Sequence, residues 1–244
     1  MGWYLSFSLG LLKNPFFQKY KEKIAFKNKS QDELLDCINT RKRVKTEEDN
    51  LPLAYLHKLT STSESFIKKA YPVKALKDFA NVDKLRDRTA EEISALWLQY
   101  FKFQNKVFAV LSSAVYDTLA EHAKACPLFI YPVPRQHGYE LFFTQYSQNH
   151  FYATSLLDYK KNQEFASVVL TISYFLDFSK DKGIALMLGD PDTSRISTFE
   201  AQSLANQITT YYLNLEKYNN FVKVFNTDPS NFDYLQLFKN LTHP

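Results

Sequence analysis

Only five of the 244 residues are glycine. Gly2 and Gly10 sit near the start, and Gly138, Gly183 and Gly189 stand singly at predicted strand ends. A phosphate loop needs clustered glycines so that backbone N–H groups can close on the ligand. Neither G-x-G-x-x-G nor a Walker A pattern occurs, which weighs against nucleotide hydrolysis. Cysteine is scarcer. Cys37 and Cys126 are far apart and have no Cys or His at metal-ligand spacing, so neither a disulfide framework nor a zinc site is expected. No cofactor of any kind is expected. Long apolar runs are missing too: nothing approaches the ~20 residues that cross a bilayer, so no membrane span is expected. Trp3–Leu12 is apolar but short, without a basic leader, a small-residue cleavage site or the Arg- and Ser-rich character of a mitochondrial presequence. Residues 1–13 are set aside as a leader or expression remnant.

Strong charge is the next absence. The formal net charge is +4, and the span from Lys13 to Asp49 holds ten Lys or Arg against seven Asp or Glu. Most of the excess therefore sits in the first fifth of the chain. A nucleic-acid binder shows a stronger basic stripe than this, and no nucleic-acid partner is expected of the remainder. The basic segment leaves an alternative open. Lys19, Lys21, Lys23, Lys27 and Lys29 interleave with Phe16, Phe17, Tyr20 and Phe26, a pattern that suits a solvated helix face or an RNA- or membrane-associated surface.

What is abundant is apolar and aromatic surface: 45% hydrophobic residues, with 21 Phe and 16 Tyr. Most of these fill a core, but aromatics are also favoured where proteins meet, because they bury much area with few rotors to freeze. The periodicities divide the chain into a basic helical arm with a linker at residues 14–65, and an α+β body at 66–244. In the arm, Pro15 opens a helix with Phe16, Phe17, Tyr20 and Ile24 on one stripe, Ser30-Gln-Asp-Glu33 is a capping box, and Thr60–Ser65 is the linker.

In the body, Thr89-Ala-Glu-Glu92 is another capping box. Ile93, Leu96, Trp97, Tyr100 and Phe101 then follow at helical spacing. Val107, Val110, Leu111, Ala114, Val115 and Leu119 continue that spacing and predict a second helix. From Leu128 the period becomes two. Strands are predicted at Leu128–Val133, Tyr139–Tyr146, Phe151–Leu157, Phe165–Leu176 and Ile184–Leu188. Short polar links between them favour antiparallel pairing. Ser197-Thr-Phe-Glu200 caps a helix through Leu215, and shorter helices follow at Tyr218–Phe225 and Ser230–Leu241. The expected architecture is a mostly antiparallel sheet of about five or six strands with helices against one face.

Catalytic chemistry finds little support. His57, His122, His137, His150 and His243 sit in no motif, and His137 and His150 fall in predicted turns as solvent-exposed residues. Glu140 and Glu164 read as solvated strand-edge carboxylates. An enzyme is not expected. Protein recognition remains: Phe142 and Tyr146 share a strand face with Glu140 and Thr144. Arg135 follows the stiff Pro132-Val-Pro134, presented for binding or held in an ion pair with Glu140 or Glu200.

Phe129-Ile-Tyr-Pro-Val-Pro-Arg135, Gly138-Tyr-Glu140, Lys182-Gly-Ile184, Glu200-Ala-Gln202, Asn206-Gln207 and Phe225-Asn226 stand in one order, preceded by Asn14-Pro-Phe-Phe17. This ordered set resembles the family of mitochondrial assembly chaperones for the catalytic beta subunit of F-type ATP synthase. The likeness covers Asn14–Lys23 and, more strongly, Thr89–Asn240. It implies a non-enzymatic protein of the mitochondrial matrix that binds free beta subunit, shields it from aggregation and yields it to the alpha subunit by competition. The beta-binding residues expected on the exposed sheet face and its loops are Arg135, Tyr139, Phe142 and Tyr146. Alanine at Arg135 or Phe142 is then expected to weaken binding without unfolding the chain.

Overall fold

The computed structural model describes residues 74–233 apart from 136 and 137, together with 236 and 237. The arm and linker at 14–65, the segment 1–13, His137 and half of the expected helix Ser230–Leu241 lie outside them. Six strands form one sheet: β1 Val107–Ser112, β2 Leu128–Arg135, β3 Gly138–Ser147, β4 His150–Ser155, β5 Val168–Phe175 and β6 Ile184–Pro191. Their order is β1-β6-β5-β4-β3-β2, and every neighbouring pair is antiparallel. The expected α+β class and strand pairing hold.

The helices are α1 Val82–Arg86, α2 Ala90–Phe101, α3 Ser113–Ala125, α4 Leu156–Asn162, α5 Ser179–Lys182 and α6 Thr198–Leu213, with a further irregular helical run from Leu215 to Thr227. Of the three expected capping boxes, Ser30–Glu33 lies outside the described residues and the other two form. The Thr89 and Ser197 hydroxyls accept from the amides of Glu92 and Glu200, whose carboxylates accept in return from the amides of Thr89 and Ser197. Gln148 and Asn149 both take positive φ, 47° and 66°, the twist that a tight hairpin between β3 and β4 needs.

Three expectations are corrected. Val107–Ser112 is a strand, not the start of a helix: a short continuous apolar run, here half-buried, fits helical spacing and a strand alike. Ser112 then accepts from the Val115 amide and caps α3. The Phe151–Leu157 strand ends at Ser155, and Leu156 and Leu157 begin α4. Helices also cover both faces. On one face Phe129, Tyr131, Phe142, Tyr146, Phe151 and Tyr174 meet α3 and α6, with Tyr116 5.1 Å from Tyr174 and Tyr212 5.3 Å from Phe151, ring to ring. On the other, Phe175, Leu186 and Leu188 meet Ile93, Trp97 and Phe101 of α2. Tyr159 of α4 also packs on this second face, its ring 4.8 Å from that of Phe143. The alternation of a strand sends successive residues to opposite sides, so an aromatic pair such as Tyr174-Phe175 serves both cores.

The outer edge at β2 is closed. Pro132 and Pro134 carry no N–H, Gln207 donates to the Pro132 carbonyl at 3.0 Å, and the Asn226 amide brackets Leu128, accepting from its N–H at 3.1 Å and donating to its carbonyl at 2.6 Å. At the other side, Gly189 lets β6 approach β1: a Cβ there would lie 2.9 Å from the Val107 Cβ.

Candidate protein-interaction rim

The antiparallel register brings the end of β2, the start of β3, the end of β4 and the start of β5 to one end of the sheet. Arg135 stands at its centre. Its Nη2 lies 2.8 Å from the Glu140 carboxylate, its Nη1 donates to Glu200 at 2.6 Å, and Nη2 also donates to the Arg195 carbonyl at 3.1 Å. A guanidinium has the planar fork for three such partners at once, which an ammonium lacks. Both carboxylates named as alternatives for Arg135 are therefore used. The next link outward is Arg195, which donates to Asp158 of α4 at 3.3 Å, and Asp158 also accepts from the Ser167 amide at 3.0 Å. One chain of charges thus ties the β2–β3 hairpin, α6, the 192–196 turn and α4 together.

The electrostatics follow from this wiring. Partial burial opposes ionisation of Glu200, but hydrogen bonds from Ser197 and Arg135 outweigh it and hold the carboxyl below its ordinary 4.5. Asp158 behaves likewise: desolvation opposes its charge, and bonds from Ser167, Asn162 and Arg195 hold it below 3.8. A carboxylate with a depressed folded-state pKa adds stability that is complete above its unfolded value and lost as pH falls through the folded one. The urea midpoint of the chain should begin to fall as pH drops below about 6.5, where the unfolded chain protonates His150 and burial resists that charge in the folded one. It should fall further below about 4.5 as Glu200 and Asp158 protonate, with a shallower decline below 4.5 in Glu200→Gln. Parallel declines in the two proteins would show that Glu200 is not coupled to the fold.

Of the four expected binding residues, two reach this rim surface. Tyr139, 45% exposed, lies on the start of β3, and Arg135 is half-buried beside it. Phe142 and Tyr146 are corrected in placement: they are 0% and 5% exposed and face the helices, not solvent. Phe142 lies under Arg135, its ring centroid 5.6 Å from the guanidinium carbon. Tyr146 is remote from the rim, its hydroxyl 3.2 Å from that of Tyr116 in the core. His150 is corrected as well. It is buried, with its Nδ1 2.9 Å from the Ser173 hydroxyl, and burial lowers its pKa.

Three exposed apolar residues at the rim were not expected: Leu157 at the start of α4, Phe165 before β5, and Phe199 in the first turn of α6, 83% exposed. Phe199 lies inside the Ser197–Glu200 capping box, next to the Glu200 that Arg135 grips, so both are carried by the same helix start. The sequence signal was available, since a large aromatic between two capping residues has no core to face. A second apolar feature lies on the other side of the molecule, where Phe79, Leu85, Ile93, Leu96, Trp97 and Tyr100 line an open cavity of about 400 Å³. Leu96 and Tyr100, part of the α2 stripe, flank that cavity and are exposed.

Among the described residues no group of three His, Cys, Asp or Glu side chains stands ready to hold a metal ion, and no helix is long and apolar enough to cross a membrane. Arg135, Glu140, Glu200, Arg195 and Asp158 are paired with one another, and Tyr139, Leu157, Phe165 and Phe199 stand exposed around them. The fold is an α+β domain, and its rim is a candidate surface for protein contact. The family model described as "ATP11 protein" matches residues 12–238, and the chain belongs to that family. It is 30% identical to "ATP synthase mitochondrial F1 complex assembly factor 1" of Danio rerio, over 95% of this chain and 79% of that protein. The human protein of the same name is 27% identical over 93% of this chain and 72% of its own length. "Protein atp11, mitochondrial" of Schizosaccharomyces pombe is 25% identical over 84% and 73%.

Proposed function

We propose that this chain is a mitochondrial chaperone for assembly of the F1 sector of ATP synthase, acting in the matrix. It holds the free beta subunit and gives it up when the alpha subunit arrives. Membership of the ATP11 family carries the assembly role, because relatives covering more than nine-tenths of this chain are named as F1 assembly factors. The rim supports the mode of action. Tyr139, Leu157, Phe165 and Phe199 offer apolar and aromatic contact area around a charge network that fixes the backbone beneath them. Arg135 and Tyr139 contact the client directly, and buried Phe142 supports Arg135 from below. Tyr146 contributes through the core alone.

The thermodynamics need no nucleotide. An unassembled subunit exposes apolar surface that aggregates, and a reversible cover on that surface is removed by any partner that binds more tightly. The test is to mix the full chain with isolated beta subunit, recover the complex, and add alpha subunit. Capture of beta, reversed by alpha, is the expected result. Failure of the folded chain to retain soluble beta would overturn the reading.

A further inference from the structure

The two edges of the sheet are built differently. The β2 edge carries two prolines and is bracketed by Gln207 and Asn226. The β1 edge, Val107-Phe-Ala-Val-Leu-Ser112, has no proline and no charge. Soluble proteins blunt their edges with such devices, because unpaired N–H and C=O groups template the addition of another strand.

The register identifies which groups are open. Ser113 donates its amide to the Gly183 carbonyl at 2.8 Å, continuing the β1–β6 pairing in which Ser112 lies opposite Ile184. Hydrogen-bonded and non-bonded pairs alternate in an antiparallel ladder. Val107, Ala109 and Leu111 therefore bond to β6, while Phe108 and Val110 turn their N–H and C=O outward. Among the described residues no strand lies on that side, and Phe108 through Leu111 remain partly exposed.

Two exposed apolar residues lie close to β1 along the chain, Leu98 of α2 and Phe103 in the link between α2 and β1, and Lys106, which precedes the strand, is ion-paired with Asp190. Within β1 nothing can neutralise a buried charge on an added strand, so a charged segment would lose its hydration without compensation. The edge also continues from the rim: Val107 pairs with Gly189, and β6 runs on through Asp190 and Pro191 into the 192–196 turn.

We infer that β1 is a strand-acceptor edge that takes an extended, uncharged segment of the client polypeptide as a seventh strand, through the backbone groups of Phe108 and Val110. This rests on the client reading above and adds to it a second, backbone-directed contact. A second copy of this chain is the weaker occupant. Two six-residue edges alone bury far less than the roughly 1,200–2,000 Å² of a stable interface, whereas a client strand is added to the contact at the rim.

Residue-resolved amide exchange on the full chain, free and saturated with isolated beta subunit, tests this. The Ala109 and Leu111 amides should be protected in both states. Those of Phe108 and Val110 should exchange fast in the free chain and at least about tenfold more slowly in the complex. Unchanged exchange at Phe108 and Val110 within a complex that sedimentation shows to be formed would overturn the inference and leave the client reading standing. Protection that grows with the concentration of the chain alone would assign the edge to a second copy and overturn it too. Absence of any complex would sink the beta reading and this inference with it. Val110→Pro removes an outward N–H that β6 does not use, and it should weaken beta capture at least about tenfold. Undiminished capture by the folded variant would count against the edge, and if the variant does not fold, the exchange measurement decides alone.

Discussion

Phe142→Ala should lower the stability of the chain by about 3–5 kcal/mol, with a drop in thermal midpoint of roughly 6–20 °C. Phe142 is fully buried on the face of the sheet that meets α6, in register with Tyr131 on β2. Truncation there opens a cavity among rigid rings, and close-packed aromatic neighbours relax into such space only in part. It also removes the ring beneath the Arg135 guanidinium, loosening the node that joins the hairpin to α6. Reduced beta capture by this variant should track the fraction unfolded at the assay temperature. A variant that melts like the parent would show that the ring is not part of the core.

Tyr139→Ala combined with Phe199→Ala should do the reverse. Both side chains are exposed, and they lie on elements held by Arg135 through Glu140 and Glu200. Their removal takes contact area from the rim without opening the core, so the thermal midpoint should move by only a few degrees. Interface energy concentrates in a few aromatic and arginine residues, and losing two such anchors should weaken beta capture at least about tenfold, or 1.4 kcal/mol. Equal capture by the folded double variant would remove the rim from the binding surface. The pair of experiments separates the two roles that Phe142 and Tyr139 have in common on paper: both are aromatics of one strand, but only one presents its ring to solvent.

That contrast also explains why the resemblance motifs gave little guidance to the binding surface. Arg135, Glu140 and Glu200 form the ion-pair node, Gln207 holds the Pro132 carbonyl, and Asn226 brackets Leu128. Five of the residues that carry the likeness to the family thus pin the β2–β3 hairpin to its helices. Their order along the chain identifies the fold that they build, whereas exposed Phe199 lies outside those motifs.

Local chemistry alone determined a good deal here. The two capping boxes, the α2 helix, five of the strands and their antiparallel sense were legible because each depends on hydrogen bonds or alternations within a few residues. Tertiary structure decided the rest. Val107–Ser112 became a strand because β6, more than seventy residues later, supplies its ladder; by periodicity the same run is equally a helix. Burial along β3 was decided only when α3 and α6 packed on one side and α4 on the other, burying Phe142, Tyr146 and Phe143 and leaving Tyr139 exposed at the start of the strand. Alternation tells which residues share a face, but which face is dry depends on what packs against it, and that is a property of contacts distant in sequence.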